Sequence, residues 1–101
     1  MTDYKHIEEM EQLRVSYAQL IHQAEELLDA MDAHTEDYIA LRNYYTSEQR
    51  EQDLLADEQG LLPPTLKRGI LSEDELYDLM GDYRETAFRM IELGTQMLRT
   101  Y

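Results

Sequence analysis

From Met10 to Tyr45, apolar and aromatic side chains return at alternating spacings of three and four. The series is Met10, Leu13, Tyr17, Leu20, Ala24, Leu27, Met31, His34, Tyr38, Leu41 and Tyr45. Such a period lines up along one face only on a helix. Ile7, Ile21 and Leu28 add an adjoining row. That widens the stripe beyond a two-stranded coiled-coil seam and suits a helical bundle. A second stripe follows the same rule through Leu76, Met80, Tyr83, Ala87, Met90, Gly94, Met97 and Tyr101, broadened by Leu79, Ile91, Leu93 and Leu98. No strand-like alternation, low-complexity tract or internal repeat interrupts the pattern. The fold class is all-α.

Punctuation divides the two stripes. Gly60 to Gly69 encloses Leu61-Leu62-Pro63-Pro64, and no helix runs through two adjacent prolines. The chain reads as a single helical domain over 1–101. It has a helix over about 3–45, a short helix over about 47–59, a connector over 60–72 and a helix over about 73–100. The long helices are expected to pack as an antiparallel bundle. The unbroken stripe favours a continuous or gently kinked first helix, while Thr35-Glu36-Asp37 resembles a helix start and marks 33–35 as its weak point. Thr46 with Gln49 offers a capping box for the short helix, Gly60 its end, and Ser72 with Glu75 a second box for the last helix.

At 101 residues the chain has room for one domain. A chain of that size buries roughly 65% of its unfolded surface, enough for a modest core. The expected helices differ in length, about 65 Å against about 42 Å at ~1.5 Å per residue. The last helix therefore leaves part of the first stripe uncovered. Either the short helix covers the rest through Leu54 and Leu55, or a second subunit does so in a homodimer.

Charge and cysteine usage exclude several classes. Twenty-two acids against 9 bases give a net charge of −13, which repels a phosphate backbone or an anionic membrane. Lys67-Arg68 is the nearest approach to a basic patch, so direct nucleic-acid binding is not expected. Cysteine is absent, which rules out disulfides, zinc-thiolate sites and thiol catalysis. Met1-Thr2-Asp3-Tyr4-Lys5-His6 shows no leader pattern, and no apolar run is long enough to cross a bilayer. A soluble cytoplasmic protein is expected.

The stripes carry no Asp or Glu, whereas a dimetal bundle needs several inward carboxylates. His6-x-x-Glu9, His22-x-x-Glu25 and His34-x-x-Asp37 are spacings that an acid-rich chain produces by chance. Ser16, Ser47 and Ser72 lie outside any nucleophile-elbow context, and neither a calcium loop nor a glycine-rich phosphate cradle is present. No enzyme activity, cofactor or metal is expected. His34, on the stripe, reads as a core histidine bonded to a tyrosine hydroxyl or a backbone carbonyl.

Eight tyrosines accompany one phenylalanine and no tryptophan. Tyr17, Tyr38, Tyr45, Tyr83 and Tyr101 fall on the stripes, where core packing is their first explanation. Tyr4, Tyr44, Tyr77 and Phe88 lie off them. Tyrosine offers contact area with a polar handle. A partner-binding patch is therefore sought at Tyr44, at the connector residues Leu61, Leu62, Pro63, Pro64 and Leu66 with Lys67 and Arg68, and at Tyr77. The connector is apolar for a loop, so it either tucks into the bundle or presents a docking motif. Gly94, on the stripe, would permit close helix approach.

The run Ala56-Asp57-Glu58 to Leu61 and Pro63 leads to Leu66-Lys67-Arg68-Gly69-Ile70-Leu71-Ser72-Glu73-Asp74 and then Tyr77-Asp78-Leu79. It resembles an uncharacterised bacterial family, domain of unknown function 4298. Tyr44-Tyr45 with Ser47-Glu48, and Ile7-Glu8-Glu9-Met10, extend the likeness over essentially the whole chain. The resemblance implies a small, cytoplasmic, helical bacterial protein and brings no activity, ligand or catalytic residue. The expected function is non-enzymatic protein–protein interaction, with another protein or with itself. The alternative is an acidic nucleic-acid mimic that inhibits a nucleic-acid-binding protein, as anti-defence proteins do, and it requires acids gathered on one continuous face.

Overall fold

A computed structural model describes residues 3–101. Met1 and Thr2, on which the leader reading partly rests, lie outside the described residues. The described residues form helices and no strand: α1 Lys5–Ala33, α2 Thr35–Tyr45, α3 Glu48–Glu58 and α4 Glu75–Thr100, with a 3-10 turn Gly69–Leu71 in the connector before α4. It divides into two compact units, one extending through Tyr38 and the other Ile39–Tyr101.

The first unit opens with Asp3, whose Oδ1 accepts the Lys5 N–H at 2.9 Å. The Tyr4 carbonyl accepts from Ile7 at 3.0 Å and from Glu8 at 3.3 Å, starting the ladder of α1. Along the helix Arg14 pairs with Glu11, and His22 Nε2 lies 2.9 Å from Glu26 Oε1. These are one-turn surface pairs of the kind that support an exposed helix.

The first helix does not run unbroken to Tyr45. It stops at Ala33 and restarts at Thr35, with His34 between them at φ −104°, ψ 17°. At the restart the Thr35 Oγ1 donates to the Asp32 carbonyl at 2.9 Å and more weakly to that of Met31 at 3.4 Å. The His34 N–H still reaches the Ala30 carbonyl, and the Asp37 and Tyr38 N–H groups reach back to His34. The interruption is one residue wide, which is why the stripe keeps its phase across it.

In the second unit, the short helix begins one residue later than the Thr46 box implies. Ser47, in extended backbone at φ −83°, ψ 156°, is the N-cap, and its Oγ accepts the Arg50 N–H at 3.1 Å. Helix α3 ends as expected at Gly60, in the left-handed region at φ 72°. There the Leu61 N–H reaches the Ala56 carbonyl at 2.9 Å and the Gly60 N–H that of Asp57 at 3.1 Å. This pair of bonds is the Schellman arrangement, which glycine enters without a Cβ penalty.

Helix α4 begins at Glu75, later than the expected start at about 73. Its N-cap is Asp74, without a side-chain cap bond, rather than Ser72, so one arm only of the expected box is present. Ser72 Oγ accepts from Asp74 and Glu75 N–H at 3.4 and 3.3 Å, but the Ser72 N–H is taken by the Gly69 carbonyl at 3.0 Å. The Glu75 carboxylate instead lies over Gly69, so near that a Cβ there would stand 2.5 Å from Oε2.

The modest core expected of this length is realised at one point. Leu76, 3% exposed, is alone in being buried among the described residues. It sits on the first turn of α4 where that helix meets the 3-10 turn, which α3 also touches. Leu54, Ala56, Leu62, Leu71 and Met80 are half-buried in this segment. Every described residue of α1 is exposed, and beyond Met80 so is all of α4 except the half-buried Gly94.

Candidate functional site

The residues singled out as a partner patch all lie in the second unit, and the structure sorts them into anchors and exposed groups. Tyr44 is an anchor. It is half-buried, and its hydroxyl donates to Asp53 Oδ2 at 2.6 Å, joining α2 to α3 across the corner. Gln49 Nε2 donates to the other carboxylate oxygen at 2.8 Å, and Ser47 Oγ donates to the Tyr44 carbonyl at 2.7 Å. The Arg50 guanidinium stacks over the Tyr45 ring, 5.1 Å from its centre. The Tyr44 phenol is pushed up by burial and by its bond to Asp53, while that bond and Gln49 hold the Asp53 carboxyl down. The hydroxyl proposed for a partner is thus engaged inside the chain.

Arg68 is the second anchor. Half-buried, it pairs with Asp57 of α3 and donates through Nη2 to the Pro63 carbonyl at 3.1 Å. The Leu66 N–H reaches the same carbonyl at 3.1 Å. These bonds fold the connector back on α3 and turn Leu62 inward. Leu61 is left 70% exposed, Leu66 49% and Tyr77 63%, with Pro63, Pro64 and Lys67 also exposed. The connector therefore both tucks in and displays apolar groups.

The larger display is on the helices. On α4, Leu79, Tyr83, Met90, Ile91, Leu93, Met97 and Leu98 are all exposed, although they form the apolar face. On α1, Leu13, Tyr17, Leu20 and Leu27 are exposed by more than half. Tyr17, Tyr83 and Tyr101, expected in the core, are exposed instead. Gly94 corrects a further expectation: a Cβ there would meet nothing within 4 Å. His34 is not a core histidine either. Its ring is exposed, and Nδ1 lies 2.7 Å from Asp37 Oδ2.

Sequence reasoning missed Asp53, Asp57 and Ser47, the three residues that hold the corner and connector. Only Ser47 left a signal, since serine is as good an N-cap as threonine. The two aspartates act across turns, and no short-range spacing marks them. Among the described residues no three His, Asp or Glu side chains gather as a metal site requires, and no helix is long and apolar enough to cross a membrane.

These features define an all-helical protein with a hydrogen-bonded corner and connector and long amphipathic helices whose apolar residues are largely exposed. Residues 7–93 match the family model described as Domain of unknown function (DUF4298), and the chain belongs to that family. No curated protein matches the chain.

Proposed function

We propose that this chain is a non-enzymatic interaction protein of the bacterial cytoplasm that binds another protein through its helices, which complete an antiparallel bundle in doing so. The observation that carries this reading is the exposed apolar face of α4, where Ile91, Leu93 and Leu98 are exposed by 67%, 53% and 82%. Soluble monomers rarely expose large contiguous apolar patches, and those that do use them for recognition. A helix of this kind docks by its i, i+3, i+4 anchors. Leu61, Leu66 and Tyr77 extend the apolar area beside it, and the acidic helix surfaces steer the chain towards a basic partner.

The nucleic-acid mimic is the second reading, and α1 gives it less support. Its acids fall into two groups, Glu8-Glu9-Glu11 and Glu25-Glu26-Asp29-Asp32, with Arg14 and His22 between them. A phosphate-like run needs an unbroken series.

A tagged pull-down from nuclease-treated bacterial lysate separates the two readings. A partner held at moderate salt and lost by Ile91→Glu supports docking through α4. A partner that binds both forms and is displaced by its own nucleic acid supports the mimic instead.

A further inference from the structure

We propose that α4 is a self-association surface, on which a second copy of the chain lies antiparallel in a register centred between Phe88 and Arg89. The inference rests on reading α4 as an interaction face, and it names the partner for that face.

Side-chain size carries the argument. In this register Met80 faces Met97 of the second copy, Tyr83 faces Gly94, and Ala87 faces Met90. In the two inner layers a large side chain meets a small one, Tyr83 on Gly94 and Met90 on Ala87, and two-fold symmetry repeats each layer, as close packing favours. Parallel pairing in register would set Tyr83 on Tyr83 and Gly94 on Gly94, one layer overfull and the next empty. Gly94 has the room this needs, since nothing lies within 4 Å of a Cβ built there. An unrelated partner would demand no such matching of one stripe with its own reverse. Leu76 is already buried in its own chain and takes no part.

Charge points the same way. On a chain of net charge −13, self-association requires a face without carboxylates. The positions flanking the α4 stripe carry Leu79, Ile91, Leu93 and Leu98, and their only charge is Arg84. Asp78, Glu85 and Glu92 fall on the far side of the helix, and Glu75 and Asp82 beyond the edge of the stripe. Those acids concentrate towards its start, at Glu75, Asp78, Asp82 and Glu85, whereas Arg89 and Arg99 lie towards its end. With Arg84 counted in the first half and Glu92 in the second, the halves still differ in sign. Antiparallel pairing therefore lays a net acidic half along a net basic one, at long range rather than in contact, and opposes the helix dipoles. Parallel pairing sets acid beside acid.

The cysteine-free chain permits a direct test. With Tyr83→Cys and Gly94→Cys together, a mild oxidant should give a covalent dimer, because each thiol faces the other kind across the interface. Neither single variant should cross-link, since like positions are then about 16 Å apart along the helix axis. That same separation prevents a bridge within one helix. Cross-linking by the single variants, or none by the double variant, overturns the register. Light scattering of the unmodified chain should show a mass twice the monomer's, falling to the monomer mass in Gly94→Leu with helical circular dichroism retained. Leucine is the better helix former, so loss of the dimer there is not unfolding. A monomer at every concentration overturns the inference, yet leaves protein docking through α4 to be judged by the Ile91→Glu pull-down.

Discussion

The Tyr44 hydroxyl donates a 2.6 Å hydrogen bond to the Asp53 carboxylate, tying the end of α2 to the middle of α3. Each partner changes the proton affinity of the other. Folding makes Asp53 hold its proton less tightly, chiefly through the Tyr44 bond and then through Gln49. That contribution to stability is present above the unfolded aspartate value of about 4, and it is lost as pH falls through the lower folded value. Tyr44 works in the opposite sense. Burial, then Asp53, makes it hold its proton more tightly, so its contribution is whole below about 10 and lost as pH rises through the higher folded value. Thermal melts across pH should weaken on both limbs. Tyr44→Phe should flatten both of them, and Asp53→Asn chiefly the acid one. Unchanged profiles in both variants would remove the pair as a source of pH dependence.

Ser47 and Thr46 compete for the same role in the sequence, and only Ser47 fills it. Its Oγ accepts the Arg50 N–H and donates to the Tyr44 carbonyl, so it caps α3 and closes the corner at once. Ser47→Ala should cost about 1 kcal/mol, as N-cap losses do, with Ser47→Asp recovering most of it. Thr46→Ala should be close to neutral. Urea midpoints read all three variants, and a larger loss at Thr46 than at Ser47 would reverse the assignment.

The helices were legible because their signal is periodic and local. The stripe through Met10 and Tyr45, read as one helix, placed the start of α1 and the end of α2 to within a few residues. The stripe through Met80 and Met97 did the same for α4, and Gly60 marked the end of α3. The break at His34 was harder to see. Periodicity runs straight through it, and only Thr35-Glu36-Asp37, which resembles a helix start, marks the place. Burial was the least legible property. A stripe shows which face seeks cover and not what supplies it, so Tyr17 and Tyr83 looked like core residues and are exposed. The connector patch was half legible. Its apolar composition marked Leu61 and Leu66, but the bonds of Tyr44 and Arg68 to Asp53 and Asp57 link residues separated by nine and eleven positions.

Two glycines should respond in opposite senses to the same substitution. Gly60 sits at φ 72° with nothing within 4 Å of a built Cβ, so the cost of alanine there is in the backbone alone. Gly60→Ala should destabilise by about 1–2 kcal/mol, and Gly60→Asn by less, since asparagine tolerates the left-handed region. Gly81 lies within α4, equally uncrowded and with no positive φ. Gly81→Ala should stabilise by up to about 1 kcal/mol through helix propensity. Denaturant midpoints that move in the same direction would contradict this division.

Leu76 is where the second unit concentrates its burial, and its truncation should be felt there most. At 3% exposure it loses the transfer energy of the removed methyl groups and leaves a void beside the 3-10 turn. Its neighbours in the segment, Leu54, Leu62, Leu71 and Met80, are only half-buried and have freedom to close in. Leu76→Ala should therefore fall at the lower end of the range for buried leucines, about 2–3 kcal/mol. Leu61→Ala, at a residue 70% exposed, should lie within about 0.5 kcal/mol of the parent. Hydrogen exchange localises the effect. In Leu76→Ala the amides of Gly69–Leu71 and the first turn of α4 should lose protection while those of α1 keep theirs. Equal losses from Leu76→Ala and Leu61→Ala would mean that Leu76 does not anchor this segment.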